Sequence, residues 1–362
     1  MKYSIIVPVF NRPDEVDELL DSLTRQTCRD FEVVIVEDGS EVRCEEVVSR
    51  YADRLSVQYF EKPNSGPGQS RNYGAERSRG EYLIVLDSDV VLPEGYLAEV
   101  DKELTSAPCE AFGGPDRAHE SFTPVQKAIN YSMTSFFTTG GIRGGKKKLD
   151  KFYPRSFNMG IKKSLYDELG GFSNMRFGED IDFSIRIFKS GARCRLFPEA
   201  WVWHKRRTDF RKFFRQVHNS GIARINLYKK YPESLKLVHL LPAVFTMGVA
   251  TLGAVFLTGL VFAILGLCSA YCGSSGCNMG LVVTYVGVAL MLLALLPLLL
   301  YALIIFVDSV RTNCSLRVGL LSIPASFIQL LGYGSGFLRA WWLRCICGRD
   351  EELQAFKKTF YK

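Results

Sequence analysis

Residues 80–95 read GEYLIVLDSDVVLPEG. An apolar run, residues 82–86, meets Asp87, Ser88 and Asp89 with nothing between. Such a run suits a strand buried on both faces of a sheet. Two carboxylates two residues apart repel each other and lose hydration if buried, so a cation or water must meet them. Similar strands stand upstream at 3–9, 31–36 and 55–60. Helical patterns separate them. Val16, Leu19, Leu20 and Leu23 share one helix face after a turn at 11–14, where Asp14 can cap. Residues 42–52 are helical by pattern, and a loop at 63–68 opens a helix through Ala75. Alternating strands and helices predict a mostly parallel α/β sheet with flanking helices. Ligands of such sheets bind beyond the carboxyl ends of the strands. Glu37, Asp38, Asp87 and Asp89 all follow strand ends. Either tripeptide alone, DGS or DSD, reads as an ordinary turn. Acids at two separate strand ends point to one crevice.

The bulk composition hides a split. Of 362 residues, 47% are hydrophobic and 23% charged. Residues 1–236 read as a soluble mixed domain, while 237–343 are dominated by long apolar runs. The ten cysteines show no paired zinc spacing and read as reduced, small apolar residues. The N-terminal apolar run is short and soon turns acidic, so no signal peptide is expected. The net charge of +7 comes with no nucleic-acid-binding motif, so lipid, not nucleic acid, is the expected polyanionic partner.

Four stretches in order carry a resemblance. They are SIIVPVFN at 4–11, EDGS at 37–40, GQSRNYGAERSRGEYLIVLDSD at 68–89, and GGF at 170–172 with GEDIDFSIRIFKSG at 178–191. Together they resemble the family 2 glycosyltransferases over roughly residues 3–220. That resemblance implies a GT-A fold, a nucleotide-sugar donor (a UDP-sugar first), a divalent Mg²⁺ or Mn²⁺ and inversion at the anomeric carbon. It places Pro8, Glu37 and Asp38 at the nucleobase and ribose, although the family more often has Asp where Glu37 stands. It places Arg71 by the donor nucleotide and makes Asp87 and Asp89 the DxD pair. It makes Asp180 the catalytic base, with Glu179 orienting the acceptor. His204, an ordinary core residue if read alone, falls near the metal. No QxxRW follows, only RQVHN at 215–219, so a processive synthase is disfavoured.

The chemistry suits these residue types. A nucleoside diphosphate leaves with added negative charge, which a hard cation on carboxylate oxygens stabilises. Asp89 is the expected direct ligand, and Asp87 lies nearer the ribose or a metal-bound water. An attacking hydroxyl must lose its proton to a placed carboxylate. GEDIDF offers Glu179, Asp180 and Asp182, acids that equally complement a helix N-terminus. Asn158 precedes a helix expected at 163–169 and either floors the acceptor site or simply enters that helix. Two rival functions stand beside sugar transfer. A sugar nucleotidyltransferase would show a Gly-rich loop after the first strand, where this chain has PVFNRP. An inactive sugar-binding membrane subunit would not need the full set of acids.

The chain divides into a catalytic domain at 1–209, an interfacial amphipathic segment at 210–236, a membrane region at 237–343 and a basic tail at 344–362. Stretches 240–267 and 281–307 exceed the about 20 apolar residues that span a bilayer. They carry no interior ionisable residue, which favours an anchor over a transport path. Residues 210–217 interleave aromatic and basic residues, as suits a helix at the headgroup level. Lys229, Lys230, Lys236, Arg311 and Arg317 flank the spans, while 269–280 lacks charge. The positive-inside rule then puts the catalytic domain in the cytosol of a bacterium and that loop outside the inner membrane. Cys272 and Cys277 in the loop are either disulfide-bonded or free thiols. A third stretch, 318–338, contains Pro324 and GYGSG at 332–336. A crossing there would export the basic tail, so a re-entrant or interfacial path is expected, with the tail cytosolic. The acceptor is then membrane-held, a lipid-linked or other glycan.

Overall fold

The structure is a computed structural model that describes residues 1–119, 121–140, 153–272 and 277–351. In chain order its elements are β1 (Tyr3–Val9), α1 (Pro13–Thr24), β2 (Phe31–Asp38), α2 (Glu45–Ser49), β3 (Val57–Lys62), α3 (Pro67–Arg77), β4 (Tyr82–Leu86), β5 (Val90–Val91), α4 (Tyr96–Ser106), β6 (Ala111–Gly113) and β7 (Asp116–Arg117). Then come α5 (Pro124–Thr134), α6 (Phe136–Thr139), β8 (Asn158–Lys162), α7 (Lys163–Glu168), α8 (Glu179–Lys189), β9 (Cys194–Leu196) and β10 (Val202–His204). The chain ends in α9 (Phe210–Lys230), α10 (Leu241–Cys272), α11 (Cys277–Asn313) and α12 (Leu316–Trp341). Two compact units result: one holds residues up to 122 and those from 153 to 206, the other 123–140 and 207–350.

The first unit is built on a seven-stranded sheet of order β3-β2-β1-β4-β8-β6-β9. Strands β3, β2, β1 and β4 run parallel, as their apolar character predicts, whereas β8 runs antiparallel to both β4 and β6. Both faces are covered. Ile5, Val7, Val33 and Ile35 pack with Leu19, Leu20 and Leu23 of α1 on one side. Ile6, Leu83, Val85 and Met159 pack with Phe172 and Phe183 on the other. Each such side chain contributes about 1.5–3 kcal/mol by leaving water. Gly74 lets α3 lie against the sheet, since a Cβ there would stand 2.7 Å from the Ile6 methyl.

A second, three-stranded sheet of order β5-β10-β7 builds the site. After Asp89 the chain enters β5, whose Val90 pairs with His204 of β10. Val202 of the same strand pairs with Asp116 of β7. Two sequence expectations are corrected in this unit. Asp14 sits in the first turn of α1 with no capping hydrogen bond, because Pro13 already occupies the helix start. The helix expected at 42–52 contracts to Glu45–Ser49, five residues.

The second unit is helical. Helices α10, α11 and α12 are each long and apolar enough to cross a membrane. α10 and α11 form an antiparallel hairpin with glycine at its close approaches: a Cβ on Gly259 would stand 2.6 Å from the Gly287 carbonyl, and one on Gly266 2.5 Å from Thr284. α12 continues unbroken through Pro324 and the GYGSG run, so the irregular backbone expected for a re-entrant path is absent. Its glycines are contact points instead. Gly332 meets Val217, and Gly336 meets the His218 carbonyl. This is the small-residue packing of closely apposed helices. Residues 352–362 of the basic tail, the 273–276 loop and the side chains of Cys272 and Cys277 lie outside the described residues.

Candidate active site

Two carboxylate centres and the groups that hold them can be read from the first unit. Asp87 and Asp89 leave the carboxyl end of β4, and β10 delivers His204 beside them. Ligand atoms of Asp87, Asp89 and His204 lie within 4.8 Å of one another. His204 Nε2 is 3.2 Å from Asp89 Oδ1, and the Lys205 amide donates to the Asp89 carbonyl at 3.0 Å. That last bond fixes the register that sets imidazole against carboxylate. On its other side, His204 Nδ1 stands 3.8 Å from Asp116 Oδ2, and Arg206 pairs with the same carboxylate. Burial pulls the imidazole pKa down, but the Asp89 charge and the Asp116 carboxylate outweigh it and push it up to about 9. Burial alone would raise Asp116; His204 and Arg206 hold it well below the usual carboxylate range. At 3.8 Å Asp116 places negative charge behind the imidazole without hydrogen-bonding it.

Two carboxylates and one imidazole suit a small divalent cation with positions left for water or phosphate oxygens. The donor set fits a divalent cation such as the expected Mg²⁺ or Mn²⁺, which Asp87, Asp89 and His204 would hold.

The second centre is the start of α8. Gly178, at φ +84°, turns the chain into the helix, and Glu179, Asp180 and Asp182 fill its first turn. They separate into three environments. Asp182 is fully buried and paired with Arg186 at 3.0 Å. Glu179 is buried against Arg71, 2.9 Å from its guanidinium. Burial pushes the Glu179 pKa up to about 7; Arg71 pulls it down and Asp180 adds to the rise. Asp180 accepts the Ile181 amide at 2.8 Å on Oδ1, while Oδ2 lies 3.4 Å from Arg155.

Arg71 joins the two centres. Its other nitrogen donates to Asp87 at 2.8 Å, and its guanidinium lies over the Phe172 ring. The sequence reading placed Arg71 at the donor; the structure gives it a bridge between DSD and GED. A buried charge that loses its partner costs about 3–5 kcal/mol. Arg71→Met is therefore expected to lower the thermal unfolding midpoint of the detergent-solubilised protein markedly. Unfolding at the wild-type temperature would remove the bridge from the fold's supports.

Three other expectations find different surroundings. Glu37 is fully buried and its carboxylate serves a loop: it accepts from Ser40, from the Cys44 amide at 2.9 Å and from Tyr59 at 3.3 Å. Both Asp38 oxygens are taken, by the Ser65 and Gly66 amides at 2.8 Å and Lys62 at 2.6 Å. These acids shape the crevice rim, with Asn11 at φ +54° accepting the Glu41 and Val42 amides. Asn158 is buried too: it donates to the Ala200 carbonyl and accepts from Tyr96. Pro8 is half-buried in β1 opposite Val36.

Residues 4–170 match the family model described as Glycosyl transferase family 2. Over those residues, less than half of its length, the chain is similar to that family. An uncharacterized glycosyltransferase of Haemophilus influenzae is 33% identical over 193 residues, 51% of this chain and 62% of that protein. The poly(ribitol-phosphate) β-N-acetylglucosaminyltransferase TarS of Staphylococcus aureus is 38% identical over 93 residues, 25% of this chain. The chain spans only 16% of TarS and less than two thirds of the Haemophilus protein. The mannosyltransferase PcManGT of Pyrobaculum calidifontis, solved with GDP-Man and Mn²⁺, is similar in fold at TM-score 0.52 and 19% identity, covering 90% of this chain and 86% of that one. The first unit is a GT-A-like domain on this footing, and three apolar helices follow it.

Proposed function

We propose that this chain is an inverting glycosyltransferase that moves one sugar from a nucleotide-sugar donor to a membrane-held acceptor, a lipid-linked or other glycan. The observation that carries this reading is the pairing of centres by Arg71: a cation site at Asp87, Asp89 and His204, and a carboxylate pair at Glu179 and Asp180. A bound divalent cation supplies positive charge to the departing diphosphate. Asp87, Asp89 and His204 would hold it, with the Asp116–Arg206 pair behind the imidazole. Asp180 Oδ2 takes the proton of the attacking acceptor hydroxyl. The new bond forms between that oxygen and the anomeric carbon, while the carbon–phosphate-oxygen bond breaks on the opposite face. Configuration is then inverted. Glu179, fixed by Arg71, orients the acceptor.

The α10–α11 hairpin serves as an anchor in a bacterial inner membrane, with the catalytic unit cytosolic. Lys229, Lys230 and Lys236 before α10 and Arg311 after the apolar run of α11 support that orientation. The test is a screen of UDP- and GDP-sugars with purified protein. Metal-dependent release of a nucleoside diphosphate is expected. Pyrophosphate release from a nucleoside triphosphate and a sugar phosphate would make the chain a nucleotidyltransferase instead. No turnover with any donor would make it an inactive subunit.

A further inference from the structure

By length and composition α12 is a third membrane span. Its neighbours say otherwise. α9 lies alongside it in parallel over nearly its whole length. Val217 packs on Gly332, Gly221 on the Tyr333 carbonyl, and Asn226 accepts from Arg344 just past the helix end. At the other end Phe210 packs with Leu321 around Ala128 of α5. α9 carries Arg211, Lys212, Arg215, Arg224, Lys229 and Lys230 and no acid. Were α12 to cross the hydrocarbon, α9 would cross beside it with these six cations, which hydrocarbon excludes.

The hairpin contacts agree. α12 touches α11 near its end, where Gly319 meets Phe306 and Val310 and Ser322 bonds Ser309. Further along, it touches α10 near its start, where Gly334 meets Pro242 and Leu330 accepts from Thr246. The hairpin itself pairs from Phe245 and Tyr301 up to Ala270 and Gly280. An antiparallel third span would climb it. α12 instead passes from one helix to the other across the hairpin's base. Within their most apolar windows only 17% of α10 and 11% of α11 is covered by protein, against 39% of α12. Trp341 and Trp342 at the end of α12 are exposed, as suits the headgroup zone.

We infer that α9 and α12 form a paired layer lying in the interfacial zone of the bilayer, on the side where the hairpin begins and ends. The chain crosses twice, and α12 contacts lipid headgroups without crossing. The partner is the lipid surface itself. This rests on the anchoring proposed above for α10 and α11, and its test separates the two. The full chain is reconstituted in liposomes with nitroxides placed singly at Leu257 of α10 and at Leu320, Leu331 and Leu338 of α12, in a background lacking other exposed cysteines. Power-saturation depth is then read at each. Leu257 should be deep and the three α12 positions equally shallow. A depth maximum at Leu331 with Leu257 deep would overturn the layer alone; a shallow Leu257 would overturn the anchor with it. The unaltered chain provides an independent reading. Cys345 and Cys347 should react with an impermeant thiol reagent from the same side as Cys28, and reaction from the opposite side would establish a third crossing.

Discussion

Asp89→Ala is expected to abolish sugar transfer and, with it, the response to added Mn²⁺ or Mg²⁺. The side chain sits where β4 opens into β5, 3.2 Å from His204 Nε2 and in one cluster with Asp87. Removing it takes one of the two carboxylates that such a cation uses and leaves Asp87, whose charge is shared with Arg71 at 2.8 Å. A loss of about 4 kcal/mol in leaving-group stabilisation is about a thousandfold in rate. The fold should survive, because the Lys205 amide bonds the Asp89 carbonyl and not its side chain. Two measurements check this: nucleoside diphosphate release with and without metal, and Mn²⁺ binding followed by electron paramagnetic resonance. Wild-type turnover undiminished in EDTA would sink the metal role. Normal Mn²⁺ binding by Asp89→Ala would move the ligand elsewhere in the crevice.

The central strands were legible because their signal is local. Strands 3–9, 31–36 and 82–86 are mostly apolar runs, and the acids after the last two pointed to a crevice. The three-stranded sheet was not legible. Its members β5, β10 and β7 span two or three residues each, too short for any periodicity. Yet that sheet is what sets His204 beside Asp89. Asp116 was missed for the same reason, although it follows Gly113-Gly114-Pro115 just past the end of β6. The partners of Glu37, Asp38 and Asn158 were hidden for another reason: they come from loops 40–44 and 62–66 and from Tyr96 and Ala200, contacts that only tertiary structure creates. α12 shows a limit of hydropathy. Its composition suits a bilayer, and its packing on a cationic helix is invisible to a window average.

Asp180→Asn is the sharper probe of mechanism, because its environment isolates one function. Of the three acids in GEDIDF, Asp182 is buried against Arg186 and Glu179 is bound to Arg71. Asp180 alone keeps an oxygen with no closer charged neighbour than Arg155, at 3.4 Å. Asparagine keeps the shape and still accepts the Ile181 amide, so the helix start is retained. It cannot take a proton. Turnover should fall by about 10²–10⁴, the usual contribution of a placed general base. Donor affinity should stay unchanged, since the Asp87, Asp89 and His204 cluster is untouched. Glu179→Gln provides the contrast: it weakens the Arg71 bridge and should reduce stability together with activity. If Asp180→Asn transfers sugar at the normal rate while Glu179→Gln does not, the base is Glu179, whose affinity for a proton is raised by burial.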